Sequence, residues 1–276
     1  MDGLPMVDAK GVVAPLTFMA PMAEKPFSYN YEPPPGTVLR NARPETHRVR
    51  IIDGRPFADE LSLDREGFVL LRRPTAARSL YDDDEITRVY YPECERLIAA
   101  ATGAARVIAF DHIVRNAALS AAGNQIKQPA ARVHNDYTAW SAPQRVRDLM
   151  GAEAEKLLRH RYAEINLWRP IRGPLLASPL ALCDAQTLTQ ENLIASDLLY
   201  PDRKGEIYSV TYNPAQRWFY FPKMQADEVV LIRCFDSAQA GAARFSAHGA
   251  FDDPTTPPDA PPRESIELRA LVFFND

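Results

Sequence analysis

The sequence has few of the residues that several common kinds of binding site require. Its 276 residues include 12 glycines and 3 cysteines, and 32 basic side chains stand against 36 acidic ones. Neither Gly-x-Gly-x-x-Gly nor Gly-x-x-x-x-Gly-Lys-[Ser/Thr] occurs, so the chain lacks the usual phosphate cradles. The cysteines form no Cys-x-x-Cys pair, which argues against a zinc ribbon or disulfide framework. Without a basic excess, nucleic acid is not an expected partner.

Long apolar runs are also missing. No stretch approaches the length of a membrane span, and residues 1–27 show no basic segment followed by an apolar run, as a signal peptide would. We therefore expect a cytoplasmic protein with no membrane partner. The length and the 46% hydrophobic fraction are those of an ordinary globular chain, and we predict one domain over residues 1–276. The sequence leaves the oligomeric state open.

The order of predicted elements places helices early and most strands late. One helix is expected after the acidic run Asp82–Asp84, ending near Gly103, and a second over Pro143–His160. From Ala163 onwards, short apolar strands are separated by Pro, Asp and Gly turns. This pattern predicts a mainly β protein, a sandwich or jelly roll with flanking helices.

Two segments are expected to lie outside the strands of the core. Residues 1–45, with the Pro33–Gly36 breaker, are interpreted as an irregular arm. Residues 46–276 would then form the jelly-roll core, with an enlarged insertion at about 175–217. Both the arm and the insertion are candidate walls or lids of a substrate pocket.

The chemistry-bearing pattern is His134-Asn135-Asp136. On a strand, side chains two residues apart point to one face, so an imidazole and a carboxylate would converge. A histidine from a distant strand would complete the facial triad of non-haem Fe(II) oxygenases, which leaves three metal positions open. His248 is the best candidate, since it follows a strongly apolar strand. The other three histidines are weaker candidates: His47, His112 and His160.

A second pattern follows His248 by fifteen residues. Arg263 and Ser265 would share one face of a strand with Glu267 and Arg269. A fixed guanidinium with a hydroxyl two residues later suits a dicarboxylate. His-x-Asp, a distant His and then Arg-x-Ser is the order found in 2-oxoglutarate-dependent oxygenases. Alternatively, Arg263 is a surface charge, and we interpret Arg269 as half of an ion pair with Glu267 or another carboxylate.

Three further residues are candidates for contact with the substrate. Asn166 and Trp168 alternate with aliphatic residues and could face a pocket, although Trp168 could equally be a packed core residue. Arg169, before Pro170, could bind a substrate carboxylate or close a turn.

The chain resembles the non-haem iron oxygenases that include the cephalosporin hydroxylase component of cephamycin methoxylation and the fungal gibberellin-desaturase-like and aspergillic-acid hydroxylase-like enzymes. The resemblance covers about Ile51 to Phe274. The blocks that carry it are Leu63–Phe68, Gly103–Val107, Phe110–His112, Val133–Tyr137, Asn166–Pro170, Phe235–Ser237, His248–Phe251 and Arg263–Arg269. It implies a double-stranded β-helix, with His134, Asp136 and His248 as iron ligands and 2-oxoglutarate bound towards Arg263.

The sequence therefore predicts an Fe(II)/2-oxoglutarate-dependent dioxygenase. Such an enzyme would use O2 to hydroxylate or desaturate a small molecule, in specialised metabolism. Two alternatives remain at this point. One is a cupin-like metalloenzyme that uses the same triad without 2-oxoglutarate, and the other is a non-catalytic jelly-roll binding protein.

Overall fold

A computed structural model describes residues 9–116, 118–119, 130–239 and 243–275 of the chain. These residues contain fourteen strands and a few short helices. The strands are β1 (Gly11–Met19), β2 (Phe27–Tyr29), β3 (Pro44–Asp53), β4 (Phe68–Arg72), β5 (Arg106–Asn116), β6 (His134–Asn135), β7 (Tyr162–Pro170), β8 (Leu180–Cys183), β9 (Leu193–Leu199), β10 (Lys204–Val210), β11 (Trp218–Tyr220), β12 (Glu228–Asp236), β13 (His248–Ala250) and β14 (Glu264–Phe273). They form two sheets. The larger has the order β1-β3-β11-β8-β13-β6-β10-β9-β2, and the smaller has the order β4-β12-β7-β14-β5.

The smaller sheet is covered on both faces. Along β14, Leu271 and Phe273 pack with residues of the larger sheet, whereas Leu268 and Ala270 pack with a separate cluster that contains Ile98 of the flanking helix. This alternation follows from the period of two in a strand. The interior between the sheets is therefore reached by every second side chain of β7 and β14.

The first predicted helix is observed in three parts: α1 (Asp83–Glu85), a π-helical turn (Ile86–Tyr90) and α2 (Tyr91–Thr102). Asp82 caps it by accepting from the backbone N–H groups of residues 84 and 85, as a short carboxylate does at an N-cap. Gly103 ends it with a φ of 70°, the left-handed conformation that glycine adopts at little cost.

The second predicted helix is interrupted. It is observed as α3 (Ser141–Met150), a 3-10 turn (Gly151–Glu153) and α4 (Ala154–Leu157). Gly151 has a φ of 52°, so it breaks the regular helix at that point. No helix within the described ranges is long and apolar enough to cross a membrane.

The prediction of an irregular arm over residues 1–45 is wrong where β1 and β2 form, although most residues between 20 and 43 lie outside regular elements. β1 pairs antiparallel with β3 over nine residues, and Ala14, Leu16 and Phe18 are fully or almost fully buried. β2 pairs with β9. Ala14, Leu16 and Phe18 alternate with partly exposed residues, so the apolar period of two indicated a strand that the nearby prolines obscured. Residues 1–8 lie outside the described part.

The segment 175–217 is also more integral than an insertion. β8 lies inside the larger sheet between β11 and β13, and its four residues are all buried. Only the β9–β10 hairpin is peripheral, since it extends the sheet beyond β6. The segment 175–217 as a whole is therefore not a lid, because β8 is part of the core sheet. The sequence did not predict this, since a four-residue apolar strand buried on both faces gives no alternating pattern.

Candidate metal centre

His134 and His248 lie side by side in the larger sheet. β6 and β13 are antiparallel with these two residues as direct partners, which places their ring centroids 4.7 Å apart. Nδ1 of His134 lies 2.9 Å from the carbonyl oxygen of Arg132, and Nδ1 of His248 lies 3.2 Å from that of Ser246. A carbonyl can only accept, so each Nδ1 carries the proton and each Nε2 keeps a free lone pair. Nε2 of His248 is buried and has no partner among the described residues.

Asp136 directly follows β6 and completes the cluster. Its Oδ1 lies 3.3 Å from Nε2 of His134. One ligand atom from each of His134, Asp136 and His248 can be chosen so that all three lie within 4.8 Å of one another. Within the described ranges, this is the one group of three such side chains that could hold a metal ion.

The electrostatics of Asp136 and His248 favour the protonation states that metal ligands need. Burial by itself would raise the pKa of Asp136, but the Arg269 charge, with smaller contributions from His134 and His248, holds it well below its usual value. Burial lowers the pKa of His248, and neighbouring His134 lowers it further. An anionic carboxylate and neutral imidazoles are the forms that bind a cation. Two imidazoles and one carboxylate fit Fe(II).

The smaller sheet holds the second oxygen of Asp136. Asn166 on β7 donates from Nδ2 to Oδ2 at 2.7 Å, and Nη2 of Arg269 on β14 lies 3.2 Å from the same oxygen. Arg269 also contacts Glu267 at 3.1 Å and Asp111 at 3.2 Å. The interpretation of Arg269 as an ion-pair residue is therefore correct, and its partners include a predicted metal ligand.

Asn135, between His134 and Asp136, was not identified from the sequence. Its side chain is fully buried, and Nδ2 donates to the carbonyl oxygens of Tyr137 and Cys234. Its Oδ1 accepts from the backbone N–H of Ser246. Asn135 thus ties the strand of His134 to the segment that precedes His248. Its position between two candidate metal ligands was the feature of the sequence that could have indicated a role in the site.

Arg263 and Ser265 lie together in the interior. Arg263 is 3% exposed, and its Nε donates to Oγ of Ser265 at 3.0 Å while Nη1 donates to the carbonyl oxygen of Ser178 at 2.9 Å. The guanidinium lies 5.0 Å from the ring centre of Trp168. Burial lowers the pKa of Arg263 to about 9, with Arg115 contributing.

A buried guanidinium of this kind lacks its usual counter-charge. No carboxylate of the described residues lies within ion-pair distance of Arg263, although buried charges are normally paired. Arg263 is therefore a candidate group for binding an anion, and the alternative interpretation of Arg263 as a surface charge is not what is observed.

The three candidate substrate residues divide between the two faces of the smaller sheet. Asn166 and Trp168 point to the interior, where Asn166 contacts Asp136 and Trp168 packs under Arg263. Arg169 points to the other face, where its guanidinium lies 5.1 Å from the ring centre of Tyr90. Arg169 therefore does not share the interior face with Asn166 and Trp168, because adjacent residues of a strand face opposite ways.

A further interior residue, Glu164 on β7, was not singled out from the sequence. It is 1% exposed, and neither carboxyl oxygen has a partner among the described residues. Burial raises its pKa well above the usual value, although the charge of Arg145 opposes the shift. Burial therefore favours the neutral, protonated form of Glu164. In the sequence, its position at a spacing of two from Asn166 and Trp168 could have indicated that it shares their face.

The chain is similar to known proteins over almost its whole length. A family profile described as "YDMC: Oxidoreductase/YMDC permease-like domain" matches residues 16–273. The Fe(II)/2-oxoglutarate-dependent dioxygenase nvfI of Aspergillus novofumigatus is 32% identical over 252 residues, which cover 89% of this chain and 90% of that protein. The hydroxylase/desaturase efuI of Hormonema carpetanum is 33% identical over 254 residues, covering 84% and 85%.

A solved structure agrees with these sequence matches. The iron and alpha-ketoglutarate-dependent endoperoxidase NvfI superposes with a TM-score of 0.87 at 30% identity, over 96% of this chain and 98% of that one. The predicted fold, a mainly β jelly roll with flanking helices, is confirmed by this likeness.

Proposed function

Because this chain belongs to the Fe(II)/2-oxoglutarate-dependent dioxygenases of fungal secondary metabolism, we propose that it hydroxylates or desaturates a small molecule of specialised metabolism. Its cofactors are those of the family: Fe(II), 2-oxoglutarate as co-substrate, and O2. The observation that carries the proposal is the cluster of His134, Asp136 and His248, whose potential ligand atoms all lie within 4.8 Å of one another.

His134, Asp136 and His248 would hold the iron. When bound together with 2-oxoglutarate and O2, the metal supplies the oxidising power to remove hydrogen from an unactivated carbon. The chain supplies orientation. Carbonyl oxygens fix both imidazoles, and Asn166 fixes the carboxylate. Such outer partners set the affinity of a metal site.

Arg263 and Ser265 would bind the distal carboxylate of 2-oxoglutarate. The guanidinium is already oriented by the Ser265 hydroxyl and the Ser178 carbonyl, so little side-chain freedom remains to be lost on binding. An incoming carboxylate would supply the counter-charge that burial of Arg263 demands. Trp168 would form the apolar wall under that carboxylate.

Other features of the proposal rest on the sequence. We place the enzyme in the cytoplasm as a single domain over residues 1–276, with no nucleic-acid partner. The finer resemblance to the cephalosporin hydroxylase component stays a prediction. The β9–β10 hairpin, which pairs with β6 next to His134, would form one wall of the substrate pocket.

The test is a spectrum of the anaerobic complex. Fe(II) and then 2-oxoglutarate are added to metal-free protein, and the visible band of the iron-to-2-oxoglutarate charge transfer is followed. We expect the band in the wild type and its loss in His134→Ala and His248→Ala. His112→Ala is the matched control, since His112 contacts Tyr91 and Asp83 away from the cluster. It should keep the band.

Arg263→Met separates the alternatives. We expect this variant to bind Fe(II) normally but to need far more 2-oxoglutarate to develop the band. A wild type that binds Fe(II) and shows no band would favour the cupin-like enzyme without 2-oxoglutarate. A wild type that binds no Fe(II) would favour a non-catalytic binding protein. A band that persists in His248→Ala would overturn His248 as the third ligand.

A further inference from the structure

A second buried arginine lies at a cavity on the opposite face of the smaller sheet. The cavity has a volume of about 340 Å³ and is formed by α2, the segment that follows β4, and the end of β7. Its wall includes Arg169 and, on the helix, Cys94 and Leu97. Trp168 precedes Arg169 and faces the interior, so the sheet separates this cavity from the metal ligands.

Arg169 is an uncompensated cation in that wall. It is 2% exposed, and its two Nη atoms lie 3.5 Å and 3.1 Å from the carbonyl oxygens of Ala226 and Arg73. Its Nε is buried without a partner among the described residues. No described carboxylate lies within ion-pair distance of Arg169. A buried charge without a counter-ion is costly, so an anion bound against the guanidinium would reduce that cost.

The rest of the lining is positive in balance. Exposed Arg73 and Arg96 stand at the cavity. Its one acidic residue, Glu93, is already engaged, because Oε2 accepts from the hydroxyl of Thr75 at 2.5 Å and Oε1 accepts from the backbone N–H of Ala76 at 3.0 Å. The lining therefore carries three arginine side chains against one carboxylate, an excess of positive charge that favours an anionic ligand.

We propose that this cavity binds a small organic dicarboxylate, separately from the 2-oxoglutarate site at Arg263. One carboxylate accepts from the guanidinium of Arg169, on which the carbonyl contacts engage only one N–H of each Nη. The second carboxylate lies towards Arg73 and Arg96. Leu97 and Cys94 contact the carbon chain between them, which inorganic phosphate lacks. Charge-assisted hydrogen bonds of this kind are the strong ones.

The test is a titration of the full-length, Fe(II)-loaded protein with glutarate under anaerobic conditions, followed calorimetrically. Glutarate is a dicarboxylate without the keto group that chelates iron. We expect two glutarate sites per wild-type chain. Arg169→Met should weaken one of them by about tenfold or more, and Arg263→Met should abolish only the other. Arg73→Met and Arg96→Met should each weaken the Arg169 site by a smaller factor.

Arg88→Met is the matched control, since Arg88 is exposed on the π-helical turn that leads into α2 and does not line the cavity. It should keep both sites. A single wild-type site that disappears in Arg263→Met and persists in Arg169→Met would overturn the proposal. So would a cavity that takes inorganic phosphate but not glutarate. Loss of the charge-transfer band bears only on the proposed function, whereas loss of the Arg169 site bears only on this proposal.

Discussion

Asn166 on β7 donates from Nδ2 to Oδ2 of Asp136 over 2.7 Å, and this contact joins the two sheets at the metal cluster. The amide comes from the smaller sheet and the carboxylate from the end of β6 in the larger one. The orientation of one proposed metal ligand therefore depends on how the sheets pack against each other.

Asn166→Ala is expected to weaken Fe(II) binding by about 10- to 100-fold, the range found when an outer partner of a metal ligand is removed. Without the amide, Asp136 keeps only Arg269 on that oxygen and can rotate towards it. The measurement is a competitive Fe(II) titration against a chromophoric chelator. Asn213→Ala, in the turn before β11, is the control, and equal affinities in the two variants would contradict the prediction.

Ser265→Ala should raise the 2-oxoglutarate concentration for half-maximal charge-transfer absorbance by about 5-fold. The variant loses the acceptor that holds Nε of Arg263, and one such hydrogen bond contributes about 1 kcal/mol. Fe(II) affinity should not change, because Ser265 contacts no proposed ligand. Ser28→Ala on β2 is the control. An unchanged 2-oxoglutarate requirement in Ser265→Ala would show that the hydroxyl does not orient the guanidinium.

Glu164→Gln is expected to stabilise the metal-free protein at pH 8. The pKa of Glu164 is raised above its ordinary value of 4.5 in the folded state, so the folded chain keeps a proton that the unfolded chain has lost. The contribution of Glu164 to the free energy of unfolding is then fully present below pH 4.5 and is lost as the pH rises through the pKa of the folded state. Glutamine removes that loss, on the order of 1–3 kcal/mol for an unpaired buried group.

The measurement is urea unfolding of both proteins from pH 4 to pH 8. The stability gap between Glu164→Gln and the wild type should widen with pH. Glu191→Gln, at an exposed position, is the control and should give no such trend. A gap that narrows towards pH 8 would mean that Glu164 is charged in the folded protein.

Gly67→Ala is expected to destabilise the fold and to disturb His248. Gly67 has a φ of 85°, and an added Cβ would lie 2.8 Å from Cβ of Ser246, whose carbonyl oxygen accepts from His248. Gly36→Ala is a matched control, since Gly36 has a φ of 84° with no heavy atom within 4 Å of the added Cβ.

Both glycine variants should lose about 1 kcal/mol from the left-handed conformation, and Gly67→Ala about 1–3 kcal/mol more from the close contact. Urea unfolding measures the difference, and an Fe(II) titration should show weaker binding in Gly67→Ala alone. Equal losses in the two variants would mean that the Ser246 segment moves aside freely.

Local pattern was sufficient for several parts of the fold. The carboxylate of Asp82 and the left-handed Gly103 set the ends of the first helical segment, because capping depends on residues a few positions apart. The alternation that runs from Arg263 into β14 likewise predicted that Arg263 and Ser265 share one face, which the structure shows to be the interior one. β1 carried the same kind of alternation, but the neighbouring prolines led to the prediction of an irregular arm.

The residue pattern alone predicts which side chains share a face over a few positions: His134 with Asp136 at the end of β6, and Arg263 with Ser265 at the start of β14. Tertiary structure alone decided what these faces meet. The register that makes His248 the partner of His134, and the contact of Asn166 with Asp136, join residues at least 30 positions apart. Such pairings are fixed by the packing of two sheets, and no local period encodes them.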